Sequence, residues 1–392
     1  MPEPEAGAPS NGARHVALVG HRLAAPAATG IGRYYAEIAS GLARTADPAT
    51  HRYTVASTRE PGSPSWVAPP LGLGSLGGPR RALAMAWALT GRPAVDRRLG
   101  HPALVHLLHP WAPVPTRAPL VATVHDLMPL LHPEWYGRVE RWSYRRGIHH
   151  VRADAAAVVA VSQWSADQLV AEAGIERDRI HVVWEGAGDE FRHRPTTAEQ
   201  AAVCRAHGVE PGRFLVAIGA VSTRKNLAVV LRALAQVDPA LLGSPALVVA
   251  GPAGQGAAEV EAAVDRLGLT GRVRFAGYVP GGELPVLLGA SMALVHPSRD
   301  EGFGITPIEA MAAGVPALAS DAGAIPEVAG EAALLVGLDD VDGWAAAITA
   351  VATDEGHRAD LVRRGTDHQA RFTWDRAAEA TRAVHDAVLD VR

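Results

Sequence analysis

Short apolar runs alternate with amphipathic segments along most of the chain. The runs predict a first series of strands at His15–Gly20, Tyr53–Ser57, Leu104–Leu108, Leu120–Val124, Ala156–Ser162 and Ile180–Trp184. They predict a second series at Phe214–Gly219, Ala246–Ala250, Val273–Gly277, Met292–His296, Val315–Ala319 and Ala333–Val336. Continuous apolar strands separated by helices are typical of parallel sheets covered on both faces. The pattern therefore predicts an α/β protein with two doubly wound parallel sheets.

The predicted elements fall into two domains, because 392 residues exceed what one ordinary core organises. We predict a tail at 1–13, a first domain at 14–190, a linker at 191–212, a second domain at 213–373 and a final helical segment at 374–392. The Gly-, Pro- and Ser-rich stretch Arg59–Gly78 predicts a long mobile loop.

Composition narrows the function classes. A net charge of −4 with 20% charged residues argues against a nucleic-acid-binding protein. The single cysteine, Cys204, excludes an intrachain disulfide, and no apolar run reaches the roughly 18 residues of a membrane helix. The small, Pro-rich residues 1–13 suggest a disordered tail, not a signal peptide. We expect a cytoplasmic protein.

The most informative stretch runs from residue 297 to 320. It carries Glu301 and Glu309 on either side of a Gly-Phe-Gly turn that joins a strand to a helix. Thr306 reads as the N-cap of this helix, and the helix should end before Gly314. Backbone N–H groups at such a helix start can face an anion, and glycines let it approach. Glu309 either completes a capping box with Thr306 or contacts a ligand.

Lys225 is the only lysine of the chain and follows the first predicted strand of the second domain. Its surroundings do not match a Walker A loop, since no glycine precedes it and Asn226 follows it. An ammonium offers a point charge to a phosphate oxygen, and the guanidinium of Arg224 offers a planar fork. Codon bias would explain the scarcity of lysine but not this location.

Two features of the first domain also suggest a site. His125 and Asp126 end a predicted strand, where open α/β sheets place their ligands, although such a histidine is often structural. Gly30 and Gly32 precede a predicted helix at Arg33–Leu42. A dinucleotide motif would need a third glycine where Tyr35 stands, so that interpretation fails.

Metal sites have weak support. Asp340 and Asp342 form an Asp-x-Asp string, but a helix follows them, which favours capping. His106 and His109 lie on a strand and at its end, where this spacing does not converge two imidazoles. We therefore predict no metal.

These strings together resemble the retaining glycosyltransferases of family 4, and GIGRYYAEIASGL and His-Asp-Leu-x-Pro-Leu resemble its mannosyltransferase-like branch. The resemblance implies the GT-B fold, in which two Rossmann-like domains face a cleft and a C-terminal helix packs back on the first domain.

The resemblance also implies roles for individual residues. Glu301 contacts the donor sugar, Glu309 holds the nucleotide ribose, and Arg224 and Lys225 clamp the diphosphate. The remaining donor contacts fall on Gly30, Gly32, Tyr278, Val279, Gly302, Phe303, Gly304, Ile305 and Thr306. His125 and Asp126 lie beside the reacting sugar.

The implied function is metal-independent sugar transfer with retention, without a cofactor, from a nucleotide sugar to a saccharide, lipid or small-molecule hydroxyl. GDP-mannose is the expected donor, and UDP- or dTDP-sugars are alternatives. A non-catalytic sugar-nucleotide-binding protein or a nucleotide-sugar epimerase also remains open. An NAD-dependent oxidoreductase would need the glycine motif that the chain lacks.

A basic stripe lies on the predicted helix Val139–Val151, whose opposite face is apolar. The stripe consists of Arg138, Arg141, Arg145, His149 and Arg152. It is either a solvated helix face or a surface that docks an anionic lipid or a phosphorylated acceptor, which would place the protein at the inner membrane face.

Overall fold

The computed structural model describes residues 12–20, 30–58, 67 and 70–391, so most of the predicted tail lies outside it. The chain divides into two compact units. The first contains Ala166–Val183, Trp374–Arg392 and the described residues up to Val161. The second contains Ser162–Ser165 and Trp184–Thr373.

Each unit is built around one parallel sheet. The strands of the first unit are β1 (Arg14–Val19), β2 (His51–Ser57), β3 (Gly72–Ser75), β4 (Leu104–Leu107), β5 (Leu120–Val124), β6 (Ala155–Ala160) and β7 (Ile180–Val182). Those of the second are β8 (Leu215–Ile218), β9 (Leu247–Ala250), β10 (Val273–Gly277), β11 (Ala293–His296), β12 (Ala317–Ser320) and β13 (Leu334–Val336).

Helices connect the strands. In the described part of the chain they are α1 (Gly30–Thr45), α2 (Arg80–Thr90), α3 (Met128–Leu131), α4 (Arg138–Asp154), α5 (Gln163–Ala171), α6 (Thr197–Ala206), α7 (Leu227–Gln236), α8 (Ala257–Arg266), α9 (Leu284–Gly289), α10 (Ile305–Ala313), α11 (Ile325–Ala329), α12 (Val341–Thr353), α13 (Glu355–Gln369) and α14 (Trp374–Asp390).

Both sheets are doubly wound, which confirms the predicted fold class. The strand order is β3-β2-β1-β4-β5-β6-β7 in the first sheet and β10-β9-β8-β11-β12-β13 in the second, and all pairs are parallel. The strand order reverses between β1 and β4 and between β8 and β11. Open α/β sheets bind ligands outside the carboxyl ends of the strands at such a point.

The last helix belongs to the first unit, where it packs along α1. A side-chain carbon at Gly41 would lie 2.9 Å from Cβ of Ala378, so the glycine permits this close approach. Arg44 bonds Asp375 with an N–O distance of 2.5 Å, and Arg14 bonds Asp386 at 3.0 Å. The chain therefore returns to its first unit after completing the second.

Two segments contain regular structure that the sequence pattern did not predict. The predicted loop Arg59–Gly78 contains β3, an edge strand with two glycines whose pairing with β2 is invisible in its sequence pattern. The predicted linker 191–212 contains α6, which begins with a capping box of Thr196 and Glu199. Cys204 is the one buried residue of α6, so the helix shows little apolar periodicity.

Candidate functional site

Arg224, Lys225 and Glu301 lie in loops that follow β8 and β11, where the strand order of the second sheet reverses. Gly219 follows β8 with φ +121°, a conformation that side chains rarely adopt. A Cβ at Gly219 would lie 3.0 Å from Cε of Lys225, so the glycine also makes room for the lysine stem. The loop then forms a 3₁₀ turn at Thr223–Lys225 and enters α7 through Asn226, at φ +49°.

A carboxylate lies between two cations at this point. Lys225 Nζ donates to Glu301 Oε1 at 2.7 Å, and Arg224 Nη1 lies 2.7 Å from Glu301 Oε2. The Lys225 and Glu301 side chains are only 14% and 13% exposed, and that of Arg224 is 26% exposed. The structure thus brings three predicted catalytic residues into one cluster, which we call the charge cluster.

His296 is a fourth member that sequence reasoning missed. It is the last residue of β11, and its buried Nε2 lies 3.4 Å from Glu301 Oε1 without hydrogen-bonding geometry. Burial, followed by the nearby charge of Lys225, lowers the pKa of His296, so its neutral form is favoured. Its place at the carboxyl end of a strand was the available sequence signal.

Burial and the charges of neighbouring groups have opposite effects on the pKa of Glu301. Burial opposes ionisation of Glu301, but the charges of Arg224 and Lys225 hold its pKa well below the usual range. Burial lowers the pKa of Lys225, assisted by Arg224 and opposed by Glu301 and Glu309. The carboxylate therefore stabilises the two cations that it contacts.

Hydrogen bonds join the loop after β8 to the loop after β11. The Arg299 backbone N–H donates to the Arg224 carbonyl at 2.9 Å, and Arg224 Nη1 donates to the Asp300 carbonyl at 3.1 Å. Arg299 Nη2 also donates to Asn226 Oδ1 at 2.9 Å. Although distant in sequence, the two loops therefore form one structural element.

The helix after the glycine turn begins earlier than predicted. Gly304, at φ +85°, is the N-cap of α10, and as a glycine it supplies no capping side chain. Thr306 is the second helical residue, which contradicts its predicted role as N-cap, because the left-handed glycine starts the helix before the Thr-Pro pair. Glu309 lies a turn further on and is buried, so the capping-box interpretation loses its basis.

The other predicted donor contacts of the second unit occupy loop positions. Gly302, Phe303 and Ile305 lie in the turn and at the start of α10, and Phe303 is buried. Tyr278 and Val279 follow β10; the tyrosine is 56% exposed, whereas the valine is buried.

The predicted residues of the first unit form a separate group. His125 follows β5 and its Nε2–H donates to the Leu108 carbonyl at 3.2 Å. Asp126 accepts from the Met128 backbone N–H at 3.0 Å, and its own carbonyl accepts from the Tyr144 hydroxyl. Gly30 and Gly32 begin α1; the first is exposed and the second is buried.

Asp340 caps α12 by accepting from the Gly343 backbone N–H at 2.9 Å, as predicted. Among the described residues, no group of three or more His, Cys, Asp or Glu side chains is arranged to hold a metal ion. Likewise, none of the helices described is both long and apolar enough to cross a membrane.

The basic stripe lies on α4, and Arg138, Arg145, His149 and Arg152 are exposed whereas Arg141 is half-buried. Tyr144, Ile148 and Val151 pack inward, as predicted. Val139 and Trp142 are 74% and 38% exposed beside the stripe, and Arg146 lies over the Trp142 ring at 5.8 Å. Sequence reasoning overlooked these exposed apolar residues.

Several solved structures share this two-sheet fold. A crystal structure of Anabaena HepE in complex with UDP and glucose superposes with a TM-score of 0.76 at 20% identity, covering 95% of this chain and 100% of that chain. Sucrose-phosphate synthase from Thermosynechococcus elongatus superposes with a TM-score of 0.75 at 20% identity, covering 97% and 100%.

The curated relatives that this chain resembles are named as sugar-transferring enzymes. O-antigen chain mannosyltransferase B of Escherichia coli is 28% identical over 67% of this chain and 68% of its own length. D-inositol 3-phosphate glycosyltransferase of Salinispora arenicola is 30% identical over 75% of this chain and 70% of its own. The corresponding Nocardia farcinica protein is 33% identical over 70% of this chain, which spans only 62% of that relative's length.

Residues 28–190 match the family described as Glycosyltransferase Family 4, and residues 205–368 match Glycosyl transferases group 1. The fold defines the class as GT-B. The chain belongs to the family 4, group 1 glycosyltransferases, which confirms the resemblance drawn from its sequence.

We expect Glu301→Gln to lower the free energy of unfolding at neutral pH by about 3 kcal/mol, because two partly buried cations lose their counterion. The folded-state pKa of Glu301 lies below its unfolded value, so its contribution is present above about pH 4.3 and is lost as the pH falls through the folded pKa. The difference between wild type and variant should therefore shrink in acid.

Urea unfolding between about pH 3 and pH 7 measures this difference. Glu261→Gln, on the exposed face of α8, is the matched control. A wild-type advantage that stays constant over the whole pH range would contradict the assigned electrostatics.

Proposed function

We propose that the protein transfers a sugar from a nucleotide-sugar donor to an acceptor hydroxyl with retention of anomeric configuration. The observation that supports this most directly is the charge cluster close in sequence to the glycine-capped start of α10, after the strand β11 at the switch point of the second sheet. Cations and a helix N-terminus in one place are suited to a diphosphate.

In this proposal the bound diphosphate replaces Glu301 as a hydrogen-bond acceptor of Lys225 and Arg224. Lys225 and Arg224 move their hydrogen bonds toward phosphate oxygens, and the Glu301 carboxylate becomes available to accept from sugar hydroxyls. Glu309, buried one turn into α10, accepts from the nucleotide ribose. Tyr278 and Val279 border the base through their main chain.

The transfer itself is proposed to occur on one face of the sugar. The acceptor oxygen bonds the anomeric carbon, the bond from that carbon to the phosphate oxygen breaks, and the leaving phosphate oxygen takes the acceptor proton. Lys225, Arg224 and the start of α10 stabilise the negative charge that develops on the diphosphate. His125, supported by Asp126, orients the reacting sugar, and Gly30 and Gly32 give the donor room.

GDP-mannose is the donor that we propose. The similarity to a protein named O-antigen chain mannosyltransferase B supports mannose, whereas the similarity to HepE, crystallised with UDP and glucose, keeps a UDP-sugar as the alternative. The acceptor is proposed to be a saccharide, lipid or small-molecule hydroxyl.

A thermal-shift panel of GDP-, UDP- and dTDP-sugars tests the donor, because a ligand bound only to the folded state raises the melting temperature. GDP-mannose should give the largest shift, and Glu309→Gln should reduce it with little effect on the unliganded melting temperature. A panel without any shift would contradict the proposed function, and a larger shift with another base would replace the donor.

We expect Lys225→Ala to reduce kcat by about 10²-fold or more, because a charge contact to the leaving group is lost. The measurement is nucleotide release with saturating donor and acceptor. Arg232→Ala removes an exposed cation from α7 as a matched control and should leave kcat unchanged. A folded Lys225→Ala protein that keeps most of its activity would refute the leaving-group role.

Turnover is proposed to require neither a metal nor a cofactor. Activity should survive EDTA, and Asp340→Ala should lower stability by about 1 kcal/mol through loss of the α12 cap while kcat is kept. Asp342→Ala should have a smaller effect on stability, since Asp342 lies in the first turn and Asp340 makes the cap. Loss of turnover on chelation, restored by manganese or magnesium, would overturn this view.

An anionic membrane surface is the partner that we propose for the basic stripe. Exposed Trp142 and Val139 next to Arg138 and Arg145 combine apolar insertion with attraction to anionic lipid headgroups. This arrangement would bring the enzyme to a lipid-linked acceptor.

We expect sedimentation with anionic vesicles that weakens as salt rises, because the Debye length shortens. Arg141→Glu/Arg145→Glu should abolish sedimentation and leave donor hydrolysis unchanged. Arg177→Glu/Arg266→Glu, at exposed positions outside α4, is the charge-matched control. If wild type does not sediment even at low salt, the stripe is a solvated face and the acceptor is soluble.

A further inference from the structure

A chain of buried polar side chains crosses the first unit and ends beside His125. His385 Nε2 lies 2.9 Å from His106 Nδ1, and His106 Nε2 lies 2.9 Å from Thr123 Oγ1. Thr123 Oγ1 in turn lies 3.0 Å from the Tyr34 hydroxyl. The four residues come from α14, β4, β5 and α1, and all are buried.

Tyr34 connects this polar chain to the predicted catalytic histidine. Its ring meets the His125 ring edge-on, with centroids 4.5 Å apart and an interplanar angle of 88°. On its other side His125 donates from Nε2–H to the Leu108 carbonyl, which sets the tautomer of the imidazole. The ring of His125 is therefore held both by a hydrogen bond and by a perpendicular aromatic contact.

The hydrogen bonds in the chain depend on one another. Burial, followed by the charge of His125, lowers the pKa of His106 to about 3, and burial followed by His106 lowers the pKa of His385 well below its usual value. A neutral imidazole carries a single N–H, so the direction of the His385–His106 bond sets whether Thr123 accepts or donates. Such a network specifies one arrangement of its members.

Burying four polar side chains in this layer is costly unless they are paired, and apolar residues would fill the same space without that requirement. The neighbouring Tyr53 illustrates the difference, since its buried hydroxyl has no hydrogen-bond partner among the described residues. The Tyr34 hydroxyl, by contrast, is anchored at the end of a paired series.

We propose that Tyr34 is a positioning residue for His125, and that Thr123, His106 and His385 fix Tyr34 in the orientation that this requires. The C-terminal helix α14 is then part of the support of the site, since it supplies His385. This inference rests on the proposed function only where it links the orientation of His125 to turnover.

The test uses full-length protein labelled with ¹⁵N-histidine, and His125 signals are assigned by their loss in His125→Asn. Wild type should show a single Nε2–H tautomer at His125. Tyr34→Phe removes the hydroxyl anchor but keeps the ring, and Thr123→Val removes the hydroxyl between Tyr34 and His106. Both variants should shift the His125 ¹⁵N signals, because the ring is no longer fixed opposite the Leu108 carbonyl. Tyr53→Phe, which removes a buried hydroxyl from the same sheet, should leave the His125 signals unchanged.

Kinetics give a second readout, in which Tyr34→Phe should lower kcat about tenfold with an unchanged KM for the donor. Altered His125 signals with unchanged kcat would support the positioning and contradict the role of His125 in transfer. Unchanged His125 signals in folded Tyr34→Phe would overturn the positioning, whatever the activity. If Thr123→Val fails to fold, the His125 signals of Tyr34→Phe alone test whether Tyr34 positions His125.

Discussion

The carboxylate of Glu301, held between Lys225 and Arg224, is the interaction on which the second unit depends. Two cations within 3 Å of one carboxylate repel each other, and little solvent is present to screen them. The cluster is possible only because Glu301 brings the opposite charge from a loop 76 residues away in sequence. That contact in turn requires β8 and β11 to be neighbours in the sheet.

The arrangement also shows how the proposed anion site would keep its two cations paired before a ligand binds. Without Glu301, the two partly buried cations would be unpaired, which is strongly unfavourable. With it, each cation has a carboxylate oxygen within 2.7 Å. Glu301 therefore stabilises the charge cluster, and in the proposed function the same residue also contacts the sugar.

In the first unit, buried polar side chains are also paired with partners distant in sequence, but these side chains are neutral. His385, His106, Thr123 and Tyr34 are buried and paired in series, and the last of them touches His125. Because α14 supplies one end of the series and packs along α1, the end of the chain supports its beginning. In both units a predicted site residue contacts partners that lie far away in sequence.

The sequence by itself determined the elements whose signal is local. The strands Leu120–Val124 and Val273–Gly277 have the predicted bounds, and Asp340 caps its helix as predicted. The site residues of the second unit were also available, since Lys225 is a lone lysine at a strand end and Glu301 lies within a recognisable string. Apolar periodicity and polar residues at strand ends can be recognised from a few neighbouring residues.

Only the tertiary structure decided features that depend on distant partners. β3 exists because β2 pairs with its backbone, α10 starts early because Gly304 adopts a left-handed conformation, and His296 joins the charge cluster because β11 lies beside β8. The link from His385 to His125 likewise requires four separate elements to meet. Such contacts are set by strand order and burial, which one-dimensional patterns do not contain.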